Sequence, residues 1–298
     1  MTLPYALSEL PARLGLRRRL LLAVVLVVVA RFLPVVALDA LAALAVLTIG
    51  IAHGAVDPVL ARRGAGLGFY VLYVSGAAAV FVLWFAAPGV VLAAFIVASV
   101  IHFGEGDTRG VRGAGWTILS RGCFVTLVPL IAHAHDVAPV VRALGVHIPQ
   151  HIFQALESYN GEGATRFVVA ALLTAWHARD AARTGGVPAL AEVLVLATAF
   201  FSLPLVPAFA LYFTVWHSAD HLRAVRLRGG KHLTRHAIIG TGISWLAIAA
   251  FLLVSGRWVS GDQRWSVLFG FLAAVTAPHM FVVARARLGE MTAFAGDP

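Results

Sequence analysis

Five histidines, His53, His102, His217, His221 and His279, lie inside apolar runs of this 298-residue chain, each a few residues ahead of basic side chains. Ionisable groups are costly in hydrocarbon, so within a membrane span they normally face the bundle interior and mark a site or a pathway. Counting to the first following arginine gives nine residues from His53, seven from His102, and six from both His217 and His279. At ~1.5 Å of rise per helical residue these offsets differ by only about 5 Å, which puts the rings at one level and suggests a shared metal. The sharpest local signal is His217-Ser218-Ala219-Asp220-His221. Residues i and i+4 share a helix face and can offer two imidazoles to one ion.

Around each ring the sequence supplies helpers. In Gly50–Asp57, Asp57 stands one turn beyond His53 and is a candidate acceptor for an imidazole N–H. His102 is followed by Phe103 and Gly104, with Glu105 and Asp107 as boundary charges. His279 follows Pro278, whose kink would free a carbonyl nearby, and reads as a supporting or pocket residue. Asp220, between the paired histidines, is a further candidate support. Phe103, Tyr212, Phe213 and Trp216, with Trp176 and Phe209, could wall an apolar channel. Neutral imidazoles without thiolates suit zinc, copper, iron or nickel. Three would leave zinc one position for an activated water, whereas four would more naturally leave open positions on iron and favour oxygen chemistry. His133, His135, His147, His151, His177, His232 and His236 read as solvated, and Cys123 as a packing residue with no disulfide or thiolate site.

The elements that must position these residues are membrane helices. With 60% apolar and 12% charged residues and a mean hydropathy of +0.87, the chain is far outside the range of a soluble domain. The fold class expected is an all-α polytopic transmembrane helical bundle, one integral membrane domain over residues 1–298. Apolar runs punctuated by Gly, Pro and charge predict about ten spans, near 18–37, 39–60, 68–87, 89–105, 116–133, 163–179, 188–203, 206–224, 236–254 and 265–284. Eight or nine spans stay open, because 134–163 is too polar to cross and reads as an external loop with a short interfacial helix. With both termini cytoplasmic, 18 of the 23 Lys and Arg fall inside, satisfying the positive-inside rule and setting the histidines in the cytoplasmic half. The net charge of +9 arises from these short clusters rather than a basic face, which argues against a nucleic-acid partner. The run behind Arg17, Arg18 and Arg19 resembles a signal peptide but is expected to remain as the first span.

The segments Gly50–Asp57, Ile101–Asp107, Tyr212–His221 and Pro278-His279-Met280 resemble, in order and spacing, the motifs of the Brp/Blh family of bacterial membrane-bound beta-carotene 15,15'-dioxygenases. The resemblance implies an Fe(II) enzyme of the bacterial inner membrane. Such an enzyme cleaves the central double bond of beta-carotene with O2 to give two retinals, the chromophore of a rhodopsin partner. Carried over by motif, His53, His102, His217 and His221 match the family's iron ligands. The chain departs from that pattern at Asp220 and at Ile51-Ala52, which leaves a related carotenoid open as substrate. Two other classes compete with this expectation. An intramembrane zinc hydrolase of a lipid substrate would need a nearby carboxylate such as Asp57 or Asp220 as general base, and a transporter often shows inverted repeats, of which only a short His-Gly echo is visible.

Overall fold

Polar backbone cannot be left bare in hydrocarbon, so a chain this apolar must satisfy its peptide groups within helices. The computed structural model describes residues 5–60, 66–108, 114–147, 149, 163–229, 233–258 and 263–295, and among these the regular elements are all helical. Helix α1 spans Tyr5–Ala30. The expected first span, 18–37, runs across a real break: Arg31 and Phe32 close turns onto Val28 and Val29, and a new helix starts behind Pro34. Proline lacks the N–H that would continue α1, and it biases the residue before it away from helix.

The second helix, α2, covers Val35–Leu60. Inside it a wide π turn at Val46–Gly50 precedes Ile51–Gly54, and a final turn follows at Asp57–Leu60. Next come α3 (Leu67–Ala86), α4 (Pro88–Asp107) and α5 (Ala114–Ala132), then the short α6 (Ala134–Ala143). Helix α6 falls where a short interfacial helix was expected, and the carbonyl of the adjoining Leu144 accepts a bond from Ser266. Residues 148 and 150–162 of that polar stretch, including His151, lie outside the described residues, as does His232.

A single helical stretch, Gly163–Ser202, covers two expected spans. It folds back on itself at Gly186, whose φ of 65° lies in the left-handed region that glycine tolerates. The reversal is required by Arg121, whose guanidinium reaches both His177 (3.5 Å) and Glu192 (2.7 Å). In a straight helix those two residues would stand ~22 Å apart. The two arms, 163–185 and 187–202, are α7 and α8. Helix α9 follows Pro204 and comprises Leu205–Tyr212, a second wide turn at Phe213–Ser218, and Ala219–Gly229. Helices α10 (Leu233–Trp258) and α11 (Gln263–Ala295) close the order.

The densest packing lies among α5, α8 and α9, where Phe124, Val128, Leu196, Phe200, Tyr212 and Trp216 form one buried cluster. Helices α4 and α5 touch backbone to backbone. A side chain at Gly104 would collide with the Ile118 carbonyl, and one at Gly122 with the Val100 carbonyl. Small residues at such a crossing let helices approach closely without a hydrophobic driving force between them. Outward, large apolar side chains such as Val36, Leu72 and Leu246 are exposed, as a lipid-facing surface requires. Seven helices among the described residues are long and apolar enough to cross a membrane.

Candidate metal centre

The five histidines converge. His53 comes from α2, His102 from α4, His217 and His221 from α9, and His279 from α11, and all five are buried. The Nε2 atoms of His53 and His279 are 3.1 Å apart, and those of His102 and His217 are 3.2 Å apart. The His221 ring centre is 5.5 Å from that of His53 and 5.6 Å from that of His279. Ligand atoms of His53, His102 and His279 all lie within 4.8 Å of one another, a grouping that can hold a metal ion. Two imidazole nitrogens bound to one ion at ~2.1 Å are separated by little more than 3 Å, so the observed spacings fit a shared metal.

Both wide turns fall at this cluster. A π turn admits an extra residue into a helix and re-aims the side chains after it, and such turns recur at functional sites. The turn at Val46–Gly50 delivers His53, and the turn at Phe213–Ser218 carries His217. Gly50 is needed there because an added Cβ would press on the Phe213 ring at 2.6 Å.

Hydrogen bonds on the far side of the rings fix their orientation. His53 Nδ1 donates to the Gly50 carbonyl, and His279 Nδ1 donates to Asp57 at 2.8 Å. With the proton on Nδ1, each Nε2 turns its lone pair inward. Asp57 also accepts from the Tyr73 hydroxyl at 3.2 Å. Its partner is thus His279 and not the sequence-local His53. The turn at Ala55–Val56 swings Asp57 round to face α11. His279 likewise spends Nδ1 on Asp57 rather than on a carbonyl freed by Pro278.

Asp107 is the residue that sequence reasoning misread. Placed at the end of a span, it looked like a solvated boundary charge, yet its side chain is 5% exposed. It accepts from the Tyr212 hydroxyl (2.9 Å) and Arg121 Nε (3.0 Å), and its other oxygen stands 3.5 Å from His217 Nδ1. Arg121 continues the chain to Glu192 at 2.7 Å. His177, expected to be solvated, is buried, stacks on Phe124 and pairs with Ser120 at 3.1 Å. His133 is also half-buried and bonds the Phe200 carbonyl at 2.9 Å. Arg121 carried a signal, a charge inside an otherwise apolar run, whereas Asp107, in the polar stretch 104–109, carried none. What hid Asp107 was its position just past a span end.

Asp220 has a partly exposed side chain and is bound through both carboxylate oxygens by Arg19 of α1. Of the expected aromatic wall, Phe103 and Phe213 line a cavity of about 710 Å³ that also reaches His53, His102 and His279. Tyr212 and Trp216 are packed behind it, Phe209 stacks on Phe213, and Trp176 pairs with Trp116. The rest of the wall is largely aliphatic and aromatic, with Tyr70, Tyr73, Ile243 and Phe271 from α3, α10 and α11.

Residues 44–285, which contain every one of these histidines, match the family model described as Beta-carotene 15,15'-dioxygenase. The chain belongs to that family. It is 28% identical over 305 aligned positions to the probable beta-carotene 15,15'-dioxygenase Blh of Halobacterium salinarum, covering 85% of this chain and 84% of that one. It is 27% identical over 256 positions to the beta-carotene 15,15'-dioxygenase of an uncultured marine bacterium, 66A03, covering 80% of this chain and 90% of its relative. No solved structure matches. Helix α1, which supplies Arg19, lies before the matched segment.

Proposed function

We propose that this protein cleaves the central 15,15' double bond of beta-carotene, or of a closely related carotenoid, with O2, using Fe(II) held by the converged histidines. The observation that carries the reading is the histidine cluster opening, through His53, His102 and His279, onto a largely apolar cavity, in a chain of this family. His53, His102, His217 and His221 form the proposed ligand set, and His279 joins them because its Nε2 faces that of His53. Bound iron supplies the means of bringing dioxygen into reaction with a carbon–carbon double bond.

The protein's own part is holding and excluding. Exchanging one C=C and one O=O for two C=O bonds consumes no proton and no external electron. The site therefore needs no free acid or base beside the substrate. Both candidate bases are otherwise engaged, Asp57 by His279 and Tyr73, and Asp220 by Arg19. That engagement weighs against the zinc-hydrolase reading, which requires a nearby carboxylate such as one of these to activate water. A carotene offers nothing to hydrogen-bond, so the wall must select by length and shape. Exposed wall residues such as Tyr70, Ile243 and Leu272 favour direct access from lipid.

The topology proposed is ten crossings of a bacterial inner membrane with both termini cytoplasmic. Dividing the helix pair at Gly186 raises the seven candidate helices to eight, and α1 and α9 bring the total to ten. A rhodopsin that takes up the retinal is the partner proposed.

The test is expression in a carotene-accumulating host, with retinal followed by chromatography and iron by elemental analysis. Retinal from the intact chain, with retinal and iron both lost in His217→Ala, is the expected result. Normal iron and turnover in that variant would remove His217 from the centre. Untouched carotene with bound zinc would restore the hydrolase.

A further inference from the structure

The cavity lining reaches Phe271, which belongs to an aromatic cluster, and the distance of that cluster from the histidines bears on which bond is cut. Helices α10 and α11 run antiparallel along the cavity. Gly240 of α10 packs on Ala55, beside His53, while His279 sits at the same level on α11. The lining continues from there to Ile248 on α10 and to Phe271 on α11. Both intervals are eight residues, from 240 to 248 and from 279 to 271. They give the same length, ~12 Å. Beyond them the rings lock together. Phe271 stacks on Phe251 with centres 4.5 Å apart, and Phe251 meets Phe81 of α3 edge-on at 5.9 Å. Three helices thus contribute to one stop. In the other direction the lining ends at Arg235 and His236, both exposed.

We propose that Phe271, backed by Phe251 and Phe81, is a specificity-determining stop that fixes the register of the polyene and so selects the double bond brought to the histidines. The proposal rests on the carotenoid-cleaving reading above. The arm between histidines and stop is comparable in length to the chain between the central double bond of beta-carotene and either of its rings. One half enters this arm until its ring meets Phe271. The other half extends toward the open, polar end. Because the substrate offers no polar group, the register is set by contact at the closed end and by nothing along the polyene. Lengthening the arm lets the ring travel further and presents an off-centre bond. Shortening it holds the ring back and does the same in the opposite direction. With a symmetrical carotene, either change yields one longer and one shorter aldehyde in place of two equal ones.

The experiment compares the intact chain, Phe271→Ala and Ile248→Phe in the same carotene-accumulating host, with aldehydes separated by chromatography and identified by mass. Ile248→Phe narrows the arm from α10 and does not depend on the fate of the Phe271 variant. The expected result is retinal alone from the intact chain and an unequal aldehyde pair from a variant, making up at least about a tenth of its product. Retinal alone from every variant that turns over, at any yield, overturns the stop. If neither variant makes any aldehyde, Phe271→Leu, which keeps bulk and loses the ring stack, decides by the same criterion, and its failure to cleave also counts against a role confined to register. An intact chain that accumulates with iron yet forms no aldehyde defeats the underlying functional reading instead.

Discussion

Buried charge separates the residues that hold the centre from those that fasten its edges. Asp107 is out of water, holds Tyr212 and Arg121, and stands against His217. Polar groups that orient a metal-binding histidine are worth ~10–100-fold in metal affinity. Asp107→Asn is therefore expected to weaken metal binding to the purified protein by about that factor, read by titration with Co(II) as a spectroscopic probe. Asp220→Asn, one residue from His221 in sequence, is expected to leave that affinity unchanged. Arg121 and Arg19 form a second contrast. Removing Arg121 leaves Asp107 and Glu192 uncompensated inside the bundle, a loss of ~3–5 kcal/mol. Arg19→Ala breaks a pair whose Asp220 side chain is 42% exposed, and solvent screening keeps that loss below ~1 kcal/mol. Thermal unfolding in detergent should rank them in that order. The sequence made His53, His102, His217 and His221 legible because an imidazole in an apolar run is costly unless it serves a shared ligand or pathway. It left His279 in a supporting role because Pro278 beside it offered a freed carbonyl as an alternative partner for the ring. It hid Asp107 because a carboxylate near a span end looks the same whether it faces water or another helix.

At the scale of helices, the crossing of α4 and α5 is the most constrained. Gly104 and Gly122 each lie under a carbonyl of the other helix, so even a methyl group forces the pair apart. Overpacking of this kind costs ~1–3 kcal/mol and more where backbone is struck. Gly122→Ala should lower the melting temperature in detergent, and Gly122→Leu should abolish accumulation of folded protein. Gly115→Ala, on the same helix with open space around it, serves as the control and should change neither. Because His102 lies two residues before Gly104, separating the helices would also move an imidazole, and weaker Co(II) binding in Gly122→Ala would register it. Span positions were readable from hydropathy to within a few residues for most helices. The two π turns were not, since a turn that admits an extra residue leaves no mark in an apolar run. The fold-back at Gly186 was legible, because Gly185, Gly186 and Pro188 interrupt an otherwise continuous stretch.

For the whole molecule, the ten crossings proposed above would put residues 17 and 286 on the same side. In a Cys123→Ser background, Arg17→Cys and Ala286→Cys should both resist an impermeant thiol reagent added to intact cells and react after the inner membrane is opened. Labelling of only one in intact cells would require an odd number of crossings between them. What holds the assembly together is unevenly spread. Helices α4, α5, α7, α8 and α9 share a packed core and a buried ionic chain, whereas α10 joins its neighbours through contacts such as Gly240 against Ala55 and the Trp245 indole on the Leu47 carbonyl at 2.6 Å. Since α10 is also a wall of the cavity, its outer neighbour, the bilayer, completes the mechanical support of that wall. Lateral pressure and acyl-chain length then become parameters of the enzyme, much as ionic strength is for a soluble one. Protein moved from native lipid into short-chain detergent should keep the proposed metal, since none of the five converged histidines lies on α10, while its turnover falls and then returns on reconstitution.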